Sequence, residues 1–128
     1  MESTLSISPS QRTDAFYLFD LDWLLESHEL WKKNMANIRP YYAVKAGLHP
    51  AIIKVYASLG CGFDCASKGE IESVLSTGVD PADIVYANPF KAPEFIEYAA
   101  AHGVHLYTFD SESELQKVAS IDPSACLT

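Results

Sequence analysis

The sequence predicts an α/β fold with parallel strands, because strand-like apolar runs alternate with amphipathic helical patterns, the alternation repeats at a fixed period, and cap residues mark the joints. Apolar runs begin near Tyr41, Gly62, Ile84 and His105, a spacing of about 21 or 22 residues that falls in the range of repeated supersecondary units. Parallel strands need crossovers, so the repeat builds either a β/α barrel or an open doubly wound sheet, and periodicity does not choose between them.

Before the repeat, Met1 to Asp14 reads as a disordered polar leader, and the region 15–40 as a strand and a helix preceding the sheet. The run Ala15 to Leu21 suits a strand. A helix follows over 22–38, with Leu24, His28, Trp31, Met35 and Ile38 on one face. Within the repeat over 41–128, the helical faces carry Ile52, Val55, Tyr56 and Leu59; then Ile71, Val74 and Leu75; then Phe95, Ile96, Ala99 and Ala100; then Leu115, Val118 and Ala119. Ser67 with Glu70 and Ser111 with Glu114 have capping-box spacing. Pro50 and Pro93 suit first turns, and Gly60, Gly78 and Gly103 suit helix ends. The segment Ala125 to Thr128 starts a fifth strand.

A formal net charge of −8 argues against a nucleic-acid footprint, which needs a basic stripe to neutralise phosphates. No segment approaches the roughly 20 apolar residues of a membrane span, and Met1 to Asp14 hold no apolar stretch of the length a secretory signal needs, so a cytoplasmic protein without a membrane partner is expected. Cys61 and Cys65 lie about 13 Å apart if both sit on one strand, too far for a disulfide or a shared metal, and no metal site is expected. They and Cys126 read as buried reduced thiols.

Chemically useful residues collect at the strand ends that lead into helices, the edge where both candidate architectures keep their sites. These are Lys45, Asp64 to Ser67, Asn88 to Lys91, and Asp110 with Ser111. Period-two alternation puts Tyr41, Ala43 and Lys45 on one side of their strand, and Gly62, Asp64 and Ala66 on one side of the next. A buried carboxylate is costly unless paired, so a Lys45–Asp64 pair at the mouth of the structure is expected. Glu70 is already explained as the third residue after a capping serine.

The motifs YAVK (Tyr42 to Lys45), GFDCASKGEIE (Gly62 to Glu72), YANPFK (Tyr86 to Lys91) and FDSESEL (Phe109 to Leu115) resemble, in order and spacing, the ornithine decarboxylase family of pyridoxal-phosphate-dependent enzymes. The resemblance runs from about Phe16 to the end and implies the first half of a (β/α)8 TIM-type barrel, truncated after about four βα units, since a whole barrel takes about 250 residues. It implies pyridoxal 5'-phosphate as cofactor, held by Lys45, with Asp64 beside it as a supporting acid and Glu70 as a secondary candidate. It further implies a basic amino acid as substrate, L-ornithine converted to putrescine in polyamine biosynthesis, and a homodimer. In such enzymes the glycine-rich phosphate site, the acid at the pyridine nitrogen and a partner-supplied cysteine come from later sequence, so this chain alone is expected to be inactive.

Two departures stand out. Ala46 and Gly47 follow the lysine where the family has a small residue and then a polar one such as Asn, and Phe90 stands where Cys is frequent. Antizyme is a regulatory partner of animal members, but Glu94 and Glu97 make the corresponding surface acidic and argue against its transfer. Other readings are a non-catalytic binding protein similar to antizyme inhibitors, and a pyridoxal-phosphate-carrying barrel without decarboxylase activity.

Overall fold

The computed structural model describes Ala15 and residues 18–128. The proposed leader over 1–14 lies outside the described residues, as do Phe16 and Tyr17 of the proposed first strand. The rest of that strand does not form: Leu18 to Asp20 are irregular and Leu21 opens a helix. The Asp20 carboxylate accepts the backbone N–H of Asp22 at 3.1 Å, and an N-cap there stops extended backbone from running on.

Helix α1 (Leu21–Asn34) is shorter than its pattern. The chain turns after Met35, and the Trp31 indole N–H donates to the Ile38 carbonyl at 2.8 Å, so Ile38 belongs to the turn rather than the helix face. Five repeats of strand follow: β1 (Tyr41–Ala43), β2 (Gly62–Cys65), β3 (Ile84–Tyr86), β4 (Leu106–Tyr107) and β5 (Cys126–Leu127). They alternate with α2 (Pro50–Ser58), α3 (Lys68–Leu75), α4 (Pro93–Ala101) and α5 (Glu112–Ile121). The strands pair in parallel in chain order, β1 to β5, and the sheet stays open, with β1 and β5 at its edges.

The punctuation acts as its chemistry requires. Ser67 and Ser111 cap α3 and α5, and Pro50 and Pro93 occupy first turns. Gly60, Gly78 and Gly103 take φ of 78°, 88° and 79°, the left-handed conformation that ends a helix and that side chains with a Cβ resist.

Register sorts side chains into two faces. Phe63, Cys65, Ile84, Tyr86 and Tyr107 point to the helices and pack with Ile53, Ile71, Val74, Ile96, Ala99 and Val118. On the other face Ala43, Asp64, Val85, Leu106 and Cys126 are partners across successive strands. The helix faces differ in detail from their patterns: Ile53 is fully buried, Phe95 remains 38% exposed, and Ala119 is exposed. Cys61 and Cys65 are buried free thiols as expected, whereas Cys126 is exposed on the edge strand. Burial pushes the Cys65 thiol up to about 12, and the nearby Glu70 and Asp64 charges add to the shift, so it is chemically inert.

Asp122, at the end of α5, is buried and accepts from His105 Nδ1 at 2.7 Å, the Tyr107 hydroxyl at 2.9 Å and the Ser124 backbone N–H at 3.0 Å. Burial pushes its carboxyl up, but these bonds together outweigh burial and hold it below its ordinary value of 3.8. A depressed carboxyl stabilises the fold above its unfolded value, and that stabilisation disappears as pH falls through the lower folded value. Urea unfolding from about pH 5 down to about pH 2 therefore shows a steeper loss of stability for the parent than for Asp122→Asn; parallel curves would contradict this. In the core, Phe63→Ala costs about 3–5 kcal/mol while Phe95→Ala costs less than about 1 kcal/mol, read from the same unfolding curves, and equal costs would contradict the burial pattern.

Candidate functional site

The C-terminal ends of the strands share one rim, and the predicted site residues lie along it. Lys45 is not on the strand itself, because β1 ends at Ala43 and the chain tightens into a single 3₁₀ turn over Val44–Ala46. That turn is anchored on both sides of the lysine. Val44 is buried in the core, the Gly47 N–H donates to the Val44 carbonyl at 3.0 Å, and the Tyr42 hydroxyl donates to the Gly47 carbonyl at 3.2 Å. Tyr42 in turn stacks on Tyr56 of α2, with ring centroids 4.4 Å apart. A Cβ at position 47 would come within 3.0 Å of the Tyr42 hydroxyl and 3.3 Å of Ile52, which gives the absence of a polar side chain at Gly47 a packing reason. The turn leaves the Lys45 side chain exposed, and it makes no ion pair among the described residues.

Asp64 is half-buried on β2, paired in register with Ala43, two residues before Lys45. It also makes no ion pair among the described residues. The expected Lys45–Asp64 pair is therefore not formed: the 3₁₀ turn takes Lys45 off the strand alternation that would have aimed it across at Asp64. The structure brings the two residues to one rim on neighbouring segments without joining them.

Glu70 fulfils its capping role in a shifted form. Its N–H donates to Ser67 Oγ at 3.3 Å, while its carboxylate accepts the N–H of Ala66 at 2.6 Å, one residue before the cap. It thus braces the loop that continues from Asp64.

A second charged cluster was not foreseen. The Lys91 side chain is wholly buried, its ammonium 2.9 Å from Glu114 Oε1, 2.9 Å from the Asn88 carbonyl and 2.7 Å from the Thr108 carbonyl. The Lys91 N–H also donates to Glu114 Oε1 at 3.1 Å, and Lys117 approaches the other carboxylate oxygen. Burial pushes the Glu114 carboxyl up, but its bonds to Lys117 and Lys91 outweigh burial and hold it below the ordinary carboxylate value. Glu114 looked like a cap residue and nothing more. Its N–H does donate to Ser111 Oγ, at 3.3 Å, yet its side chain turns inward. The signal that could have revealed this is the lysine closing YANPFK immediately before a helix, at a strand end otherwise bare of charge. Next to this cluster Thr108 Oγ1 is buried without a hydrogen-bond partner among the described residues.

A cavity of about 200 Å³ lies elsewhere, between α1 and the start of the sheet, lined by residues that include His28, Trp31, Tyr56 and Cys61 but not Lys45 or Asp64. No helix among the described residues is long and apolar enough to cross a membrane, and no cluster of three or more metal-ligating side chains occurs among them.

A family model described as pyridoxal-dependent decarboxylase, pyridoxal binding domain, matches residues 21–128. The ornithine decarboxylase of Rattus norvegicus is 49% identical over 121 residues, which are 94% of this chain and 26% of that protein. Antizyme inhibitor 2 of Xenopus laevis is 44% identical over 119 residues, 93% of this chain and 26% of that protein. Among solved structures, ornithine decarboxylase from Entamoeba histolytica superposes with a TM-score of 0.83 at 40% identity, covering 86% of this chain and 34% of its own. The chain spans about a quarter of the length of the curated relatives it matches. The open parallel sheet is part of the barrel that such decarboxylases share, and this chain belongs to the pyridoxal-dependent decarboxylase family, within its pyridoxal-binding domain.

Proposed function

We propose that this chain supplies the cofactor lysine and its acidic neighbour to a decarboxylase of basic amino acids, with L-ornithine as substrate and putrescine as product. The observation that carries this reading is the exposed Lys45 amine, without an ion pair among the described residues, in the turn after β1 on the same rim as the half-buried Asp64, in a chain of this family. Pyridoxal phosphate would fit these residues: Lys45 would hold its aldehyde through a primary amine not committed to a carboxylate among the described residues, and Asp64 would supply the negative charge that favours a cation there. When bound, the cofactor supplies the electron sink for the charge left by departing carbon dioxide.

The chain's own residues do the rest of what this segment contributes. Val44 and Gly47 hold the turn that presents Lys45. Asp64 offers negative charge to the lysine and to any cationic group gathered there. Glu70 fixes the Ala66 N–H and so the loop that follows Asp64. The net charge of −8 suits a cationic amino acid, and the high identity to ornithine decarboxylases favours ornithine over arginine or lysine. A homodimer is part of this proposal.

The similarity to an antizyme inhibitor favours a second reading, a non-catalytic binding protein that keeps the family surface. Lys45 and Asp64 count against it, because they retain the amine and the carboxylate that the cofactor's chemistry needs.

Borohydride reduction in the presence of pyridoxal phosphate, followed by peptide mapping, separates the two. Label concentrates on Lys45 and is lost in Lys45→Ala; label spread evenly over all lysines would contradict the catalytic reading. Asp64→Asn removes the charge at constant shape and lowers the trapped yield at Lys45 about tenfold, the scale of one close opposite charge, and an unchanged yield would remove Asp64 from the site. Among added amino acids, ornithine protects Lys45 from trapping at a lower concentration than arginine or lysine; the reverse order would reassign the substrate.

A further inference from the structure

Lysine is almost never fully buried, and burying a charged pair gains little over an apolar pair of similar volume. Lys91 and Glu114 are buried all the same, with side-chain exposures of 0% and 3%. All three ammonium N–H positions of Lys91 have an acceptor, Glu114 Oε1 and the carbonyls of Asn88 and Thr108, so this lysine has no donor left for another partner. The acceptors come from three different places: the loop after β3, the end of β4 and the first turn of α5.

The bonds continue across the rim. Asn88, whose carbonyl is held by Lys91, accepts the Phe90 N–H at 3.2 Å through its side-chain oxygen and donates from its side-chain nitrogen to the Ala66 carbonyl, also at 3.2 Å. Ala66 is in turn held through its N–H by Glu70, and it lies two residues beyond Asp64. A continuous path of hydrogen bonds therefore runs from α5 through Lys91, Asn88 and Ala66 to the end of the strand that carries Asp64.

We propose that Lys91 is a positioning residue: its buried ammonium, clamped between Glu114 and the Asn88 and Thr108 carbonyls, aligns the loop after β3 so that Asn88 holds the end of β2 and sets Asp64 beside Lys45. This rests on the reading of the rim as the cofactor site. A lysine engaged in this way is a fixed strut rather than a second nucleophile, which leaves Lys45, among the described lysines at the strand ends, as the amine not engaged by a carboxylate.

The test replaces the pair by apolar side chains of similar volume in the whole chain, Lys91→Met with Glu114→Leu, a change that avoids the buried lone charge that removing one partner would leave. Hydrogen exchange and borohydride trapping with pyridoxal phosphate are read together. Protection of the Phe90 and Ala66 amides falls about tenfold or more while the Val74 and Ile96 amides are unchanged, and the trapped yield at Lys45 falls about tenfold. Asn88→Ala, which cuts the path at its middle and leaves the buried pair intact, gives the same two losses and serves if the double variant does not fold. Loss of amide protection with undiminished trapping at Lys45 would reduce Lys91 to a purely structural role and overturn the proposal, as would label on Lys91 in the parent. Absence of trapping at Lys45 in the parent itself would instead overturn the cofactor reading on which the proposal rests.

Discussion

Parallel pairing in register is the constraint from which the rest of this structure follows. Because every strand runs the same way, every strand-to-helix loop emerges at one rim, and because side chains alternate along each strand, each residue is committed either to the helices or to the opposite face. The row Ala43, Asp64, Val85, Leu106 and Cys126 is one such commitment, and the layer of Phe63, Ile84, Tyr86 and Tyr107 is the other. Asp64, half-buried and without an ion pair among the described residues, is held in place by the apolar residues on either side of it, Phe63 and Cys65, both fully buried. The packing that stabilises the sheet thus also fixes where its chemistry can be.

Charge inside this fold is concentrated at the two ends of α5. Glu114 lies in the first turn, where the helix dipole favours an anion, and is joined to Lys91 and Lys117. Asp122 lies at the other end, where the dipole disfavours an anion, and three donors compensate for both burial and dipole. These two carboxylates tie the last helix to β4 and to the loop after β3. Exposed pairs such as Arg39 with Asp83 and Lys32 with Glu29 contribute little by comparison, since water screens them and two long side chains must be ordered to form them.

The architecture was legible in the sequence because its signals are local. A proline at a first turn, a serine three residues before a glutamate and a glycine at a helix end each act within a few residues, and strand starts near Tyr41, Gly62, Ile84 and His105 needed only the repeat. The proposed strand over Ala15 to Leu21 failed at Leu18 to Asp20 because an aspartate cap started the helix earlier than the apolar run suggested. At the proposed site, the placement of Lys45, Asp64 and Glu70 along one rim was legible, while the Lys45–Asp64 pair was not realised: a 3₁₀ turn after three strand residues breaks the alternation from which the pairing was inferred. Lys91 and Glu114 are 23 residues apart and meet only through tertiary packing, which no local pattern encodes. Ile53 and Phe95 show the same limit on the helices, since a face drawn at helical spacing is about a residue uncertain in its direction.

The proposed chemistry depends on the Lys45 amine, in the turn after β1, and the Asp64 carboxylate, on the neighbouring strand, standing together on one rim of the sheet. Determining the structure of this chain after reduction with pyridoxal phosphate tests that most directly. Continuous density is expected from Lys45 Nζ to the pyridoxal carbon, with Asp64 as the nearest carboxylate. Density attached to a different lysine, or a modified Lys45 folded back over α2 away from Asp64, would contradict it.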